Sequence, residues 1–222
     1  MKYKYLILTG GTLHEEFLIA FLKENFYDKL ICVDAALTLV ERLKIKIDYL
    51  VGDFDSVDKQ VLEQFLERKE KEKLSVEVRK FQPEKDNTDT DIAISLALSE
   101  GAEEIVLLGA TGTRIDHLLG NLQLLLKPLS QGVSAFIYDE YNKIYLIEKE
   151  QEFYKDKLYG PYISFIPFEG TVKNVTQTGF KYETQAVDFV MGESLGISNE
   201  LMAPKGRISF EQGKFLVIEA KE

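Results

Sequence analysis

Five residues of this chain carry the densest chemistry for their length: Gly52-Asp53-Phe54-Asp55-Ser56. They follow a short apolar run at 47–51 that reads as a strand. They precede Val57, Val61, Leu62, Phe65 and Leu66, which recur at helical spacing. Strand alternation carried through residue 55 aims both carboxylates the same way. Two aligned carboxylates repel unless a cation lies between them, and a hard cation such as Mg²⁺, carrying phosphates, is the usual one.

A second acidic stretch, 84–91, has four acids in eight residues, more than one helix cap and one first-turn acid require. It also joins a strand to a helix and contains Lys85, Asp86 and Asp89. A third, Gly109-Ala110-Thr111-Gly112-Thr113-Arg114-Ile115-Asp116-His117, again opens a helix after a strand. Its small residues let backbone N–H groups approach an anion at a helix N-terminus. It is not a Walker A loop, because no Gly-Lys-Ser/Thr follows. Arg114, His117 and Asn121 fall on one helical stripe, with Asp116 off it. Each segment also has a structural reading: a capped helix start for Asp53 and Asp55, a solvated acidic turn for 84–91, a hydrogen-bonded core histidine for His117. His14 reads as an exposed helix residue.

The elements that position these segments alternate. Strands are expected at 3–9, 29–33, 47–51, 75–81, 104–108 and 133–138, with helices between them at 13–26, 35–43, 57–66, 89–99 and 115–126. Residues 67–73 alternate in charge, as a solvated helix end does. This is an α/β unit with a mainly parallel sheet. The three chemical segments lie at carboxyl ends of its strands and therefore on one rim, where open parallel sheets bind ligands. From about residue 142, short apolar runs at 143–148, 162–167, 171–177, 207–210 and 215–219 alternate with Gly, Pro and Asn turns. The C-terminal part reads as an all-β, antiparallel sandwich. The boundary is expected at 138/139, giving units 1–138 and 139–222.

The chain has 222 residues, 45% of them hydrophobic, and a formal net charge of −10. That charge argues against nucleic-acid or anionic-membrane partners, and it requires cations wherever a phosphate binds. One cysteine, Cys32, sits in an apolar run and cannot form an internal disulfide. No stretch reads as a signal peptide or a membrane span. A reducing, cytoplasmic compartment is expected. Acids, an arginine, a lysine and a Gly-rich loop on one rim suit Mg²⁺-dependent phosphoryl-type transfer.

At this point the chain closely resembles the thiamine pyrophosphokinase family. The family's Gly-Asp-Phe-Asp-Ser, Lys-Asp-x-Thr-Asp and Gly-rich Arg-x-Asp-His signatures match at 52–56, 85–89 and 109–117, in order. Gly179-Phe180-Lys181-Tyr182 and Ser198-Asn199-Glu200 resemble its C-terminal thiamine-binding module. The resemblance implies transfer of a pyrophosphoryl group from ATP to the thiamine hydroxyl, with release of AMP. It implies Mg²⁺ on Asp53, Asp55 and Asp89, and catalytic roles for these three with Asp86, Asp116 and Arg114. ATP contacts are implied at Gly10, Asp34, Asp53, Lys85, Thr111, Arg114 and His117, and thiamine contacts at Asp89, Ser198 and Asn199. It also implies a homodimer in which the sandwich of one subunit completes the site of the other. Two positions depart from the family pattern. Asp34-Ala35-Ala36 stands where the family has Asp-Gly-Gly, and alanine disfavours positive φ; Thr113 replaces a common glycine.

Three other readings compete. One is a pyrophosphokinase for another alcohol, such as a pterin, which the C-terminal module would separate. Another is a Mg²⁺-dependent phosphohydrolase, against which the Gly-rich loop and the sandwich argue. The last is a nucleotide sensor without catalysis, which would not need every acid retained.

Overall fold

The computed structural model describes residues 3–81 and 87–222. The chain divides into two compact units, residues 1–139 and 140–222.

In the first unit the strands are β1 (Lys4–Leu8), β2 (Lys29–Val33), β3 (Tyr49–Gly52), β4 (Glu77–Lys80), β5 (Glu104–Leu108) and β6 (Ser134–Tyr138). The intervening helices are α1 (Glu15–Glu24), α2 (Ala36–Leu43), α3 (Lys59–Glu72), α4 (Asp89–Ser99), α5 (Ile115–Leu124) and α6 (Leu126–Ser130). All five pairings are parallel, in the order β6-β5-β1-β2-β3-β4. Apolar runs such as Tyr5-Leu6-Ile7-Leu8 and Leu30-Ile31-Cys32-Val33 are buried on both faces, as parallel strands between helices must be. Leu6, Leu8, Leu30, Cys32 and Leu50 pack with Leu37, Val40 and Phe65 on one face. Ala93, Ile94 and Ala97 of α4 are buried, and α4 packs on β1, β2 and β3.

The strand order reverses at β1: β2 lies on one side and β5 on the other. Their following loops diverge and leave a crevice past the carboxyl ends of β1 and β5, the switch point of such sheets. Gly11 donates to Gly109 O at 2.9 Å and Thr9 Oγ1 donates to the same oxygen at 2.5 Å, which ties the two loops together. Gly109 has φ 72°, and a Cβ there would meet Thr9 O at 2.5 Å, so only glycine fits.

The second unit has β7 (Asn142–Ile147), β8 (Gln151–Tyr154), β9 (Tyr162–Pro167), β10 (Thr171–Thr178), β11 (Thr184–Val190), β12 (Asn199–Glu200), β13 (Lys205–Ser209) and β14 (Phe215–Ala220). They form two antiparallel layers, β12-β9-β14-β7 and β11-β10-β13-β8. Phe165 and Phe215 from the first layer interlock edge-to-face with Phe153 and Phe189 from the second, each at a centroid distance of 5.4 Å. The expected strands at 143–148, 162–167, 171–177, 207–210 and 215–219 are present. Strands β8, β11 and β12 were not legible from pattern. Only Phe189 of β11 is buried, and Ala186, at φ 51°, breaks its alternation.

Candidate active site

The structural reading of Asp53 and Asp55 as helix caps fails, because Asp58 performs that job. Its Oδ1 accepts from Gln60 N at 2.7 Å at the start of α3. Likewise Thr88 caps α4 through Asp91 N at 3.3 Å, which leaves Asp89 in the first turn for other work. The N-terminus of α5, at Arg114, has no side-chain cap. The His117 N–H meets the Asp116 carboxylate, and the N–H groups before it in the first turn can receive an anion.

Strand geometry does not persist to residue 55. β3 ends at Gly52, and Phe54 takes the left-handed conformation at φ 66°. Asp53 and Asp55 meet through a tight turn instead of through alternation, with Asp55 N donating to Asp53 Oδ1 at 3.0 Å. A shared hydrogen bond and repulsion from Asp53 raise the Asp55 carboxyl above its ordinary range.

A cleft of about 670 Å³ opens at the switch point. Gly10, Asp34, Asp53, Asp89, Thr111, Arg114 and His117 all line it, together with Asn121. Asn121 is buried and donates through Nδ2 to Ala110 O at 2.7 Å, which fixes the Gly-rich loop to α5. His117 is exposed into the cleft, not buried in the core. The acids concentrate at one point: one carboxylate oxygen each from Asp34, Asp53 and Asp89 lie within 4.8 Å of one another. Asp55 and Asp116 are not among the lining residues. Asp116 instead forms a forked pair with Arg114, at 2.5 and 3.2 Å. That pairing holds the Asp116 carboxyl down to about 2. Lys85 and Asp86 lie outside the described residues.

Asp34 is the member of this acid cluster that spacing alone did not single out. The register pairs Val33 with Val51, so Asp34 falls opposite Gly52. Its Oδ1 accepts from Phe54 N at 3.1 Å. Burial, then the Asp89 and Asp53 carboxylates, raise its pKa to about 7. The alanines after it need no unusual backbone. Ala35 is right-handed at φ −56°, ψ −21°, and the positive φ of this turn, 42°, falls on Asp34. The penalty expected for Ala35 and Ala36 therefore does not arise. Thr12, Ser56, Asn87, Thr88 and Thr90 also line the cleft, and no sequence signal marked them as ligands.

In the second unit a cavity of about 470 Å³ is lined by Gln177, Tyr182, Thr184, Leu195, Ile197 and Asn199, with the polar loop residues between them. Asn199 is buried and its amide is bonded at both the oxygen and the nitrogen. Oδ1 accepts from Tyr182 N at 3.0 Å and Glu200 N at 2.9 Å, and Nδ2 donates to Tyr182 O at 2.8 Å. Asn199 thus positions Tyr182 beside the cavity. Ser198 is exposed at φ 53° and donates its N–H to Ser164 Oγ at 3.0 Å; it is not among the lining residues.

Fold and cleft together define an enzyme of the diphosphotransferase class, with an antiparallel module following in the chain. The chain belongs to the thiamin pyrophosphokinase family: the family's catalytic-domain model matches residues 23–137, and its vitamin B1 binding domain model matches residues 144–215. It is 38% identical over 172 residues to thiamine pyrophosphokinase of Bacillus subtilis, covering 77% of each chain. It is similar to the crystal structure of thiamine pyrophosphokinase from Bacillus subtilis, with a TM-score of 0.85 at 31% identity and 99% of each chain covered. The thiamin pyrophosphokinase structure from Geobacillus thermodenitrificans superposes with a TM-score of 0.81 at 30% identity, covering 99% of this chain and 98% of that one.

Proposed function

We propose that this chain transfers the pyrophosphoryl group of ATP to the hydroxyl of thiamine, giving thiamine diphosphate and AMP. The observation that carries the reading is the convergence of Asp34, Asp53 and Asp89 within 4.8 Å at the sheet's switch point, facing an uncapped helix N-terminus. An all-oxygen donor set of this kind suits a hard divalent cation such as Mg²⁺. When bound, such a cation neutralises triphosphate oxygens that a chain of net charge −10 would otherwise repel.

The residues then divide the work. Asp53 and Asp89, with Asp34 beside them, hold the metal. Asp55, whose backbone N–H donates to Asp53 Oδ1 at 3.0 Å, holds the Asp53 carboxylate in place for the ligand role. Arg114 and the first N–H groups of α5 bind phosphate oxygens, and Asp116 orients Arg114. His117, Thr111 and Gly10 line the path of the nucleotide, and Lys85 and Asp86 take the ATP-binding and catalytic roles that the family motif implies. The thiamine hydroxyl oxygen attacks the β-phosphorus, its proton passes to a carboxylate, and the bond to the α-phosphate oxygen breaks as AMP leaves. Positioning and charge stabilisation supply most of the acceleration for so weak a nucleophile. Asn199, through Tyr182, and Ser198 shape the thiamine site.

Exposed apolar side chains support a homodimer as the working form: Ile115 and Leu119 in the first unit, Met191, Leu195, Ile197 and Met202 in the second. In that dimer the sandwich of one subunit completes the nucleotide site of the other. A buried, unpaired Cys32 fits a cytoplasmic setting. No helix among the described residues is long and apolar enough to cross a membrane.

The test is incubation with ATP, Mg²⁺ and a panel of alcohols that includes thiamine and a pterin alcohol, read by product mass. Thiamine diphosphate and AMP in equal amounts are expected, with no AMP when the acceptor is omitted. AMP release without any alcohol would point to hydrolysis and overturn the proposal. Asp53→Asn should lower turnover by at least about a hundredfold while the chain stays folded.

A further inference from the structure

Gln177 lies on β10, on the face that also carries Val172 and Val175, both fully buried. It is 1% exposed, paired across the layer with Thr184 on one side and Ile208 on the other. Its Nε2 is the one buried side-chain polar atom among the described residues that has no hydrogen-bond partner. An orphaned buried amide costs the desolvation of a group that an aliphatic side chain would not carry. Packing within the chain gives no partner to this Nε2, and the explanation for it comes from what the position faces.

It faces the cavity of the second unit, where the other polar groups on the strands are already used. Thr184 Oγ1 donates to Val175 O at 3.1 Å, and the Asn199 amide is bonded at its oxygen to Tyr182 and Glu200 N–H and at its nitrogen to Tyr182 O. The rest of the lining offers the buried Gln177 amide donor, the Tyr182 ring, the apolar Leu195 and Ile197, and, on the loop, the Glu193 carboxylate and the Ser194 hydroxyl. A flat apolar wall accepts a planar ring, a lone donor needs an acceptor in that ring's plane, and an acid suits a cation. A cationic heteroaromatic ligand with an acceptor nitrogen meets all three conditions. Thiamine, with an aminopyrimidine and a thiazolium ring, is such a ligand.

We infer that Gln177 is a specificity-determining residue of the acceptor site, its carboxamide N–H donating to a ring nitrogen of the bound heteroaromatic acceptor. This rests on the thiamine reading above and adds the atom that recognises the pyrimidine. Sites that hydrogen-bond a substrate reject analogues lacking the matching group, because their own buried group is then left unpaired.

The experiment is calorimetric titration of full-length wild type and Gln177→Leu with thiamine, with the two pyridine analogues in which one pyrimidine nitrogen is replaced by CH, and with Mg·ATP, alongside thermal melts. Gln177→Leu should bind thiamine about tenfold more weakly. Its affinity for Mg·ATP should be unchanged, and its melting temperature without ligand unchanged or higher, since an orphaned amide has been removed. Wild type should lose about tenfold on one pyridine analogue, and Gln177→Leu should not distinguish that analogue from thiamine. Thiamine binding by Gln177→Leu equal to wild type, as expected if only a water satisfies Nε2, overturns the inference and leaves the proposed function standing. Parallel losses in melting temperature and in both ligands also overturn it, since they mark a structural role. A wild type that binds no thiamine overturns the proposed function and this inference with it.

Discussion

The carboxylate of Asp34 occupies the space that a side chain on Gly52 would fill: a Cβ at Gly52 would lie 1.9 Å from Asp34 Oδ1. The in-register pairing of β2 with β3 brings the two residues opposite each other. The glycine that opens the Gly-Asp-Phe-Asp-Ser segment is thus there for an acid eighteen positions earlier in the chain.

Gly52→Ala should displace Asp34 from Phe54 N and from its place beside Asp53 and Asp89. Gly52 also sits at φ 152°, where a Cβ is strained. We expect turnover to fall more than about tenfold, with a stability loss of about 1–3 kcal/mol. Steady-state kinetics and denaturant melts check this; a variant with wild-type turnover would show that Asp34 need not hold its position.

The raised Asp34 carboxyl predicts how the metal-free chain responds to pH. Its folded pKa, about 7, lies above the ordinary carboxylate value of 3.8. The folded state therefore holds a proton that the unfolded state has released. This contribution to stability is complete below about pH 4 and is lost as pH rises through 7. In chelator, denaturation midpoints should fall across that window. Asp34→Asn should flatten the profile, and a wild-type profile without this decline would contradict the assignment.

Asn199→Ala removes the partner of Tyr182 N–H and C=O together. With the Glu200 N–H, three backbone groups lose their partner, which should cost about 3–6 kcal/mol. Thiamine affinity should drop as Tyr182 loses its position, while Mg·ATP binding persists. Calorimetry with each ligand separately distinguishes this from general damage, in which both affinities would fall equally.

Glu41 joins α2 to α3 and lines neither cavity. Burial pushes its carboxyl up, but hydrogen bonds from Arg68, at 2.7–3.1 Å, and from Lys44 outweigh this and hold it below the usual range. Glu41→Ala leaves Arg68, which is only 17% exposed, with the longer Glu72 pair at 3.7 Å alone, and should cost about 3 kcal/mol. Turnover well below the melting temperature should be unchanged. A loss of activity without a loss of stability would show that this pair reaches the site.

Much of the first unit was legible because its signals are local. Apolar runs of strand length, helices of period 3.6, and small or acidic residues at each junction placed 52–56, 84–91 and 109–117 on one rim before any coordinates. The sandwich was legible as a class, but β11 and β12 were not. A strand with one buried residue, or with only two residues, has too little alternation to read.

The sequence by itself determined which residues carry charge, which segments are strands or helices, and that the acids stand where strands end. Those properties follow from side-chain type and spacing along a single element. Only the tertiary structure decided that Asp34 joins Asp53 and Asp89, that Asp116 turns to Arg114, and that Asn199 spends its amide on Tyr182. These outcomes depend on strand register, on a left-handed residue at Phe54 and on chain reversals many residues apart. Such relations are set by how separate elements pack, and no spacing within any one of them encodes the result.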